Sequence, residues 1–264
     1  MLRKFIVPII GRKNYINHII FLSQLYRSFL PFRNRAKTII KKYMIPSDGV
    51  VFDIGANIGR FSCLAASLAK RDGQVHSFEP VSNSFRVLKR TVALRMHHNV
   101  ILNNSALSDK NGSAEISIPL LEGWKPKLPV AHMGRDSRMT LKQKIIVQRL
   151  DDYCREKNIE RIDFIKCDTE GHEYFIFSGA LECLAKYKPS VLCEVYQKYC
   201  KRQNVEPSQV FDIFYRMGYK AYIPTREGTL IYADGYKKPA DYFFIHPSRM
   251  TDQLSKLVIS TRSA

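Results

Sequence analysis

Apolar residues recur along the chain with two different periods. From Asn14 to Leu30, Tyr15, Ile16, Ile19, Ile20, Leu22, Leu25, Tyr26 and Phe29 keep helical spacing, and Pro31 and Pro46 punctuate the residues beyond. The expected packing turns that apolar stripe toward the domain behind it. After Ser47-Asp48-Gly49 short apolar runs alternate with helical stretches. The pattern predicts strand Val50–Ile54, helix Gly59–Leu68, strand Gln74–Phe78, helix Ser82–Met96 capped by Ser82, and strand Val100–Leu102. Asn111-Gly112 predicts a hairpin turn before Ser113–Ile118, and residues 121–139 read as an insert or substrate lid. Ile145–Leu150 is a strand, Asp151–Lys157 a short helix, and Asp163–Cys167, Tyr174–Lys186 and Val191–Val195 repeat the strand–helix–strand rhythm. Helix Pro207–Met217, strands Tyr219–Ile223 and Tyr242–Ile245, and a polar tail after Pro247 complete the chain. Strands alternating with helices of this length imply right-handed crossovers and a mainly parallel sheet.

Composition adds one strong signal. The formal charge is +18, and residues 1–50 hold ten basic residues against Asp48 alone. Such a field favours anionic partners, whether phospholipid surface, nucleic acid or acidic glycan. No stretch approaches the roughly 20 apolar residues of a membrane-spanning helix, and no secretory signal fits the start. The six cysteines form no C-x-x-C pair and no zinc spacing, so they are expected to be reduced and the protein cytoplasmic. Peripheral contact of the basic amphipathic start with an anionic membrane surface is the alternative to its inward packing.

The motif Asp53-x-Gly55-x-x-x-Gly59 ends the first strand and opens the first helix, the place where doubly wound sheets bind ligands. Ala56-Asn57 stand where a dinucleotide fingerprint needs its second glycine, and no P-loop is present. An acidic Asp53 suits a ligand with a cationic amino-acid group better than a pyrophosphate, because a carboxylate beside an ammonium or sulfonium gains Coulomb energy. Glu79, ending the second strand, can accept both hydroxyls of an adenosine ribose. A third cluster, Lys166-Cys167-Asp168-Thr169-Glu170-Gly171-His172-Glu173, follows the next parallel strand, and Glu194 ends the one after it. Adjacent parallel strands bring Asp168 and Glu194 to the same edge as Asp53 and Glu79. Lys166 is expected to pair with a nearby carboxylate, and Glu173 to favour the helix start.

With Val51–Gly59, Phe78-Glu79-Pro80, Ala106-Leu107-Ser108-Asp109, Ile165–Glu173, Ser178-Gly179-Ala180 and Glu194 in place, the sequence resembles the FkbM-type methyltransferases over about residues 45–246. The resemblance implies an α/β, Rossmann-like class I methyltransferase fold with a seven-stranded mixed sheet and helices on both faces. It also implies S-adenosylmethionine as cofactor and O-methylation of a hydroxyl on a sugar, glycan or natural product. Asp53, Gly55, Asn57, Gly59 and Glu79 are then expected to bind the cofactor, with Ser105 and Ala106 beside its adenine. A hydroxyl is a poor nucleophile at neutral pH, so it needs a general base or a metal. Asp168, Glu170, His172 and Glu194 are the catalytic candidates, and Asp168 and Glu170 could instead hold a divalent cation. Trp124, His132 and Arg135 are the candidates for acceptor contacts.

The chain divides on this reading into a basic amphipathic helical extension over 1–45, a methyltransferase domain over 46–247 and a polar tail over 248–264. Two alternatives stand beside the O-methyltransferase. The charge suits an RNA methyltransferase, although Asp168-Thr169-Glu170-Gly171 lacks the Pro-Pro-aromatic platform of exocyclic-amine methylation and no RNA-binding module is evident. A non-catalytic membrane-surface protein with a relict fold is opposed by intact Asp53, Gly55, Gly59 and Glu79.

Overall fold

The computed structural model describes residues 21–32, 34–119 and 140–259. Trp124, His132, Arg135 and the expected insert over 121–139 lie outside them.

The strand runs expected from the sequence form the middle of one sheet. Strands β1 (Val50–Ile54), β2 (Gln74–Phe78), β3 (Val100–Asn103), β7 (Phe164–Cys167) and β8 (Ser190–Val195) lie parallel in the order β3-β2-β1-β7-β8. β11 (Ala240–Ile245) joins β8 antiparallel, and β9 (Lys220–Pro224) joins β11. These seven make the expected mixed sheet. Two further strands, β10 (Leu230–Ala233) and β12 (Val258–Ile259), extend it to nine. β12 belongs to residues expected as a polar tail, where Leu254 is also buried. Both added strands are short, four residues and two, so periodicity alone does not reveal them.

A smaller sheet holds β4 (Ala106–Leu107), β5 (Gly112–Pro119) and β6 (Thr140–Gln148) in the order β4-β6-β5. Asn111-Gly112 therefore does not fold β5 back onto β4 as a hairpin. β6 lies between them, antiparallel to β5 and parallel to β4.

Helices α1 (Arg60–Ala69) and α2 (Ser82–Leu94) follow β1 and β2, and α3 (Leu150–Glu156) precedes β7. Ser82 begins α2 but is not its cap, since Val81 holds that position without a side-chain bond. The single helix expected over Tyr174–Lys186 is broken into α4 (Glu173–Ser178) and α5 (Leu181–Tyr187). Gly179 at the break lies so close to β4's exit that a Cβ there would fall 2.1 Å from the Ser108 carbonyl oxygen. Buried Asp151 of α3 then caps α5, accepting from Glu182 N–H at 3.2 Å and Cys183 N–H at 2.9 Å. α6 (Pro207–Arg216) starts on its proline as expected, with a capping box between Glu206 and Gln209.

Strand pleating sorts the core into two faces. Phe52, Ile54, Ile165, Cys167, Val191, Cys193, Tyr242 and Phe244 pack on one. Val51, Phe164, Leu192 and Phe243 pack on the other, against Phe61, Ala65 and Ala66 of α1. A fully buried side chain of this size contributes roughly 1.5–3 kcal/mol, so the doubly covered strands carry much of the apolar stabilisation. Ala36, Ile39, Ile40 and Met44, from the cap and body of a short helix at Lys37–Ile39 and the π-turn after it, complete that second face. All six cysteines are buried and free.

Candidate active site

The same pleat brings the chemistry to one face. Residues alternate sides along a strand, so Asp53 shares the side of Val51, Lys166 that of Phe164, Glu194 that of Leu192, and Asp241 that of Phe243. Register sets them side by side, because Asp53 pairs with Lys166 and Glu194 with Asp241. Asp241 has no place in the sequence-derived set. β11 runs antiparallel, so its first residues rather than its last arrive at the carboxyl edge of the parallel strands.

At that edge β1 turns into α1. Gly55 takes φ +76°, and a Cβ on it would sit 2.0 Å from the Asp168 carbonyl oxygen, so only glycine lets the β1 and β7 exits meet. Gly55 and Ala56 donate their amides to the Phe78 carbonyl oxygen at 3.1 and 2.9 Å. Asn57 (φ +51°) donates its amide to Glu79 Oε2 at 2.8 Å, Val81 donates to Oε1 at 2.8 Å, and Gly59 caps α1. Glu79 is thus gripped on both oxygens. An ionised carboxylate has about four acceptor positions, so two remain. Burial pushes its pKa up to about 7 against the pull of those amides.

Asp53 is fully buried, accepts 2.6 Å from Ser62 Oγ and lies 3.5 Å from Lys166 Nζ, while its Oδ1 has no hydrogen-bond partner. Burial raises its pKa, and Lys166 and Ser62 oppose that rise. Lys166 also lies 3.3 Å from Asp168 Oδ2. Burial pulls the lysine down, but Asp168 and Asp53 outweigh it and hold the ammonium charged. The expected pairing of Lys166 with a carboxylate is met twice over. Glu173 is buried and structural, accepting from Thr169 N–H at 3.0 Å, Thr169 Oγ1 at 2.9 Å and Gly171 N–H at 3.3 Å.

Beside Lys166 the acids converge. Asp168, Glu170 and Glu194 each present a carboxylate oxygen within 4.8 Å of the others. Glu194 is pushed up to about 9 by burial, then by Asp168, Asp241 and Glu170. Burial also raises Glu170 and Asp241. Asp168 is the open member, with 43% of its side chain exposed. Asn34, from the basic extension, donates to Asp241 Oδ2 at 2.9 Å. Such a set can share protons or hold a divalent cation through oxygen ligands.

His172 stands apart from the acids. It lines a narrow slot with Gly55, Phe78, Pro80, Ser105, Ala106, Thr169 and Ile176. Ser105 accepts from Gln148 Nε2 at 2.8 Å. Ser108 Oγ donates to Asp109 at 3.0 Å and lies 3.0 Å from His172 Nε2. With the serine proton given to Asp109, the histidine donates through Nε2, which leaves Nδ1 without a partner. Burial lowers its pKa to about 4, so the ring is neutral near pH 7. A larger cavity, about 850 Å³, lies at the opposite, amino-terminal end of β2 around Gln74, His76 and Asn99 and holds none of the motif residues. Position, not size, identifies the site.

Residues 53–221 match the family model described as the methyltransferase FkbM domain. Methyltransferase sdnD of Sordaria araneosa is 28% identical over 187 residues, 61% of this chain and 72% of its own. The 31-O-demethyl-FK506 methyltransferase FkbM of Streptomyces tacrolimicus is 31% identical over 160 residues, 51% of this chain and 60% of its own. A solved methyltransferase FkbM from Methylobacillus flagellatus KT overlays with a TM-score of 0.46 at 14% identity, covering 89% of this chain and 60% of that one.

Proposed function

The chain belongs to the FkbM methyltransferase family, and from that membership we propose that it moves a methyl group from S-adenosylmethionine to a hydroxyl on a sugar, glycan or other natural product. The observation that carries this reading is Glu79, a buried carboxylate held by two backbone amides beside a glycine turn, with acceptor positions left for a pair of ribose hydroxyls. Gly55, Asn57 and Gly59 shape that turn. Ser105, Ala106 and His172 line the slot beside it, which suits the adenine. Asp53 acts by holding Lys166 and α1 rather than by touching the cofactor.

Methyl transfer is an in-line displacement in which the acceptor oxygen forms a bond to the methyl carbon as the carbon–sulfur bond breaks. Most of the help a protein can give is positioning. The acceptor also loses a proton, and Asp168 is the group we assign to take it, being the exposed member of the acid set and steadied by Lys166. Burial and the neighbouring acids raise the Glu194 pKa, which favours its protonated form and so lessens the repulsion on an ionised Asp168. Glu170 either joins that set or helps hold a divalent cation there. O-methylation is also supported by a relative whose name, 31-O-demethyl-FK506 methyltransferase, puts its reaction at an oxygen.

Incubation with S-adenosylmethionine carrying a labelled methyl group and a panel of hydroxylated acceptors, read by mass spectrometry, tests the reading. Label on an acceptor oxygen is expected. Label recovered only on nitrogen or carbon would overturn it. The surplus of basic residues keeps RNA as a second acceptor class. RNA binding that falls steeply with salt, with label entering RNA, would favour it.

A further inference from the structure

Residues 21–28 are helical, and the chain continues beside α2 to Pro31. An amphipathic helix on a soluble domain normally turns its apolar side inward. This one does the reverse. Its buried positions are Gln24 and Ser28, at 5% and 0% exposure, while Leu22, Tyr26, Phe29 and Leu30 are 53%, 71%, 46% and 42% exposed. The spacing of four, three and one residues puts those four on one side of a helical path. Of the expected apolar stripe, the described residues Leu22, Tyr26 and Phe29 thus face away from the domain, and Leu25 is half-buried.

The polar side is fixed by specific bonds. Thr91 Oγ1 of α2 donates to Ser28 Oγ at 2.8 Å, and Arg95 donates to the Ser28 carbonyl oxygen at 3.3 Å. Arg86 and Arg95 stand over the Phe21 and Phe29 rings at 5.0 and 5.1 Å. Arg60, the first residue of α1, donates to the Leu30 and Pro31 carbonyl oxygens. These contacts hold the segment with its apolar face outward.

The two stretches that carry and flank that face hold charge of one sign. Residues 21–31 contain no acid, and α2 contributes Arg86, Lys89 and Arg90, all exposed, with no acid. Outward leucine and aromatic rings beside a row of cations are the composition of a helix lying in a lipid interface. A protein partner would need an apolar groove rimmed with acids, and a second copy of this chain would bring the same cations face to face. No helix among the described residues is long and apolar enough to cross a membrane, so contact at the surface is the mode that fits.

We propose that Leu22, Tyr26, Phe29 and Leu30 dock this protein on the surface of an anionic phospholipid bilayer, with the surrounding lysines and arginines on the headgroups. The occupant is a lipid surface, and the attraction has an apolar and an ionic part.

Co-sedimentation of the full chain with vesicles tests both parts. Vesicles of phosphatidylcholine with about one third phosphatidylglycerol should bind it at low salt. Phosphatidylcholine alone should bind at least tenfold more weakly, and about 0.5 M salt should remove most of the binding. The triple variant Leu22→Ser, Tyr26→Ser, Leu30→Ser should lose at least tenfold in partitioning at low salt, with its thermal midpoint retained. Lys89→Glu with Arg90→Glu should lose binding while keeping the apolar face, and serves if the triple variant fails to fold. Absence of binding to anionic vesicles overturns the proposal. So does binding unchanged in the triple variant, which would leave charge alone. Concentration-dependent dimerisation by ultracentrifugation, abolished by the triple variant without any vesicle binding, would assign the face to a second copy instead.

Discussion

Lys166 Nζ lies 3.5 Å from the fully buried Asp53 and 3.3 Å from the half-open Asp168, so one ammonium neutralises the acid beneath the glycine turn and steadies the acid above it. Removing one partner of a buried pair leaves a charge without compensation, which costs about 3–5 kcal/mol. Lys166→Met is expected to lose stability on that scale in urea unfolding. A loss below about 1 kcal/mol would mean that Asp53 is satisfied by Ser62 alone.

Glu79→Ala is expected to weaken S-adenosylmethionine binding by about 1.5–3 kcal/mol, the value of hydrogen bonds to a charged group. Calorimetry that finds the same affinity in the variant would remove Glu79 from the ribose.

The same carboxylate sets a pH dependence. Its pKa in the folded protein is raised to about 7, above the ordinary glutamate value. Ribose hydroxyls donate, so they favour the ionised form. Cofactor affinity should therefore be full above that pH and should fall as pH drops through it, by up to ~10-fold per unit well below the pKa. For stability the sign is opposite. The folded state holds this proton more tightly than the unfolded chain, so the Glu79 contribution declines as pH rises from about 4.5 to about 7, and is constant beyond. Cofactor titrations at several pH values check the first statement, and apo-protein unfolding checks the second.

Asp168→Asn preserves shape and removes the proton acceptor. Turnover is expected to drop by about 10²–10⁴-fold, the usual worth of a general base, with cofactor affinity nearly unchanged. Equal losses in both would make Asp168 a binding residue only.

Gly55→Ala places a methyl group 2.0 Å from the Asp168 carbonyl oxygen at a positive φ. Backbone strain of this kind costs about 1–3 kcal/mol before any overlap is relieved. The variant should melt lower and bind the cofactor poorly, as differential scanning calorimetry and titration would report. Wild-type values in both would mean that the two strand exits have room to part.

Much of the fold was legible in the sequence. Val50–Ile54 and Gln74–Phe78 are found at their expected bounds because short apolar runs end there in a glycine motif and in Glu79-Pro80. Gly55, Asn57 and Glu79 converge because consecutive parallel strands must end at one edge. The features that escaped have physical causes. The closeness of Asp53 to Lys166 was not legible, because that cation comes from a strand more than a hundred residues later. Asp241 was missed because an antiparallel strand delivers its beginning to that edge. The break at Gly179 depends on the approach of Ser108, and the cap on α5 comes from Asp151; no local window contains either. The outward stripe of Leu22, Tyr26, Phe29 and Leu30 shows that periodicity reveals an apolar side without saying which way it points.

Two polar ties give the residues before Val50 a second significance. Asn34 reaches Asp241, and Arg60 is tethered to the carbonyl groups of Leu30 and Pro31. Both Asn34 and Asp241 fall outside the matched family region of residues 53–221. A chain trimmed to that region would therefore lose Asp241, which stands beside Glu194 in the sheet, together with the Asn34 that donates to it.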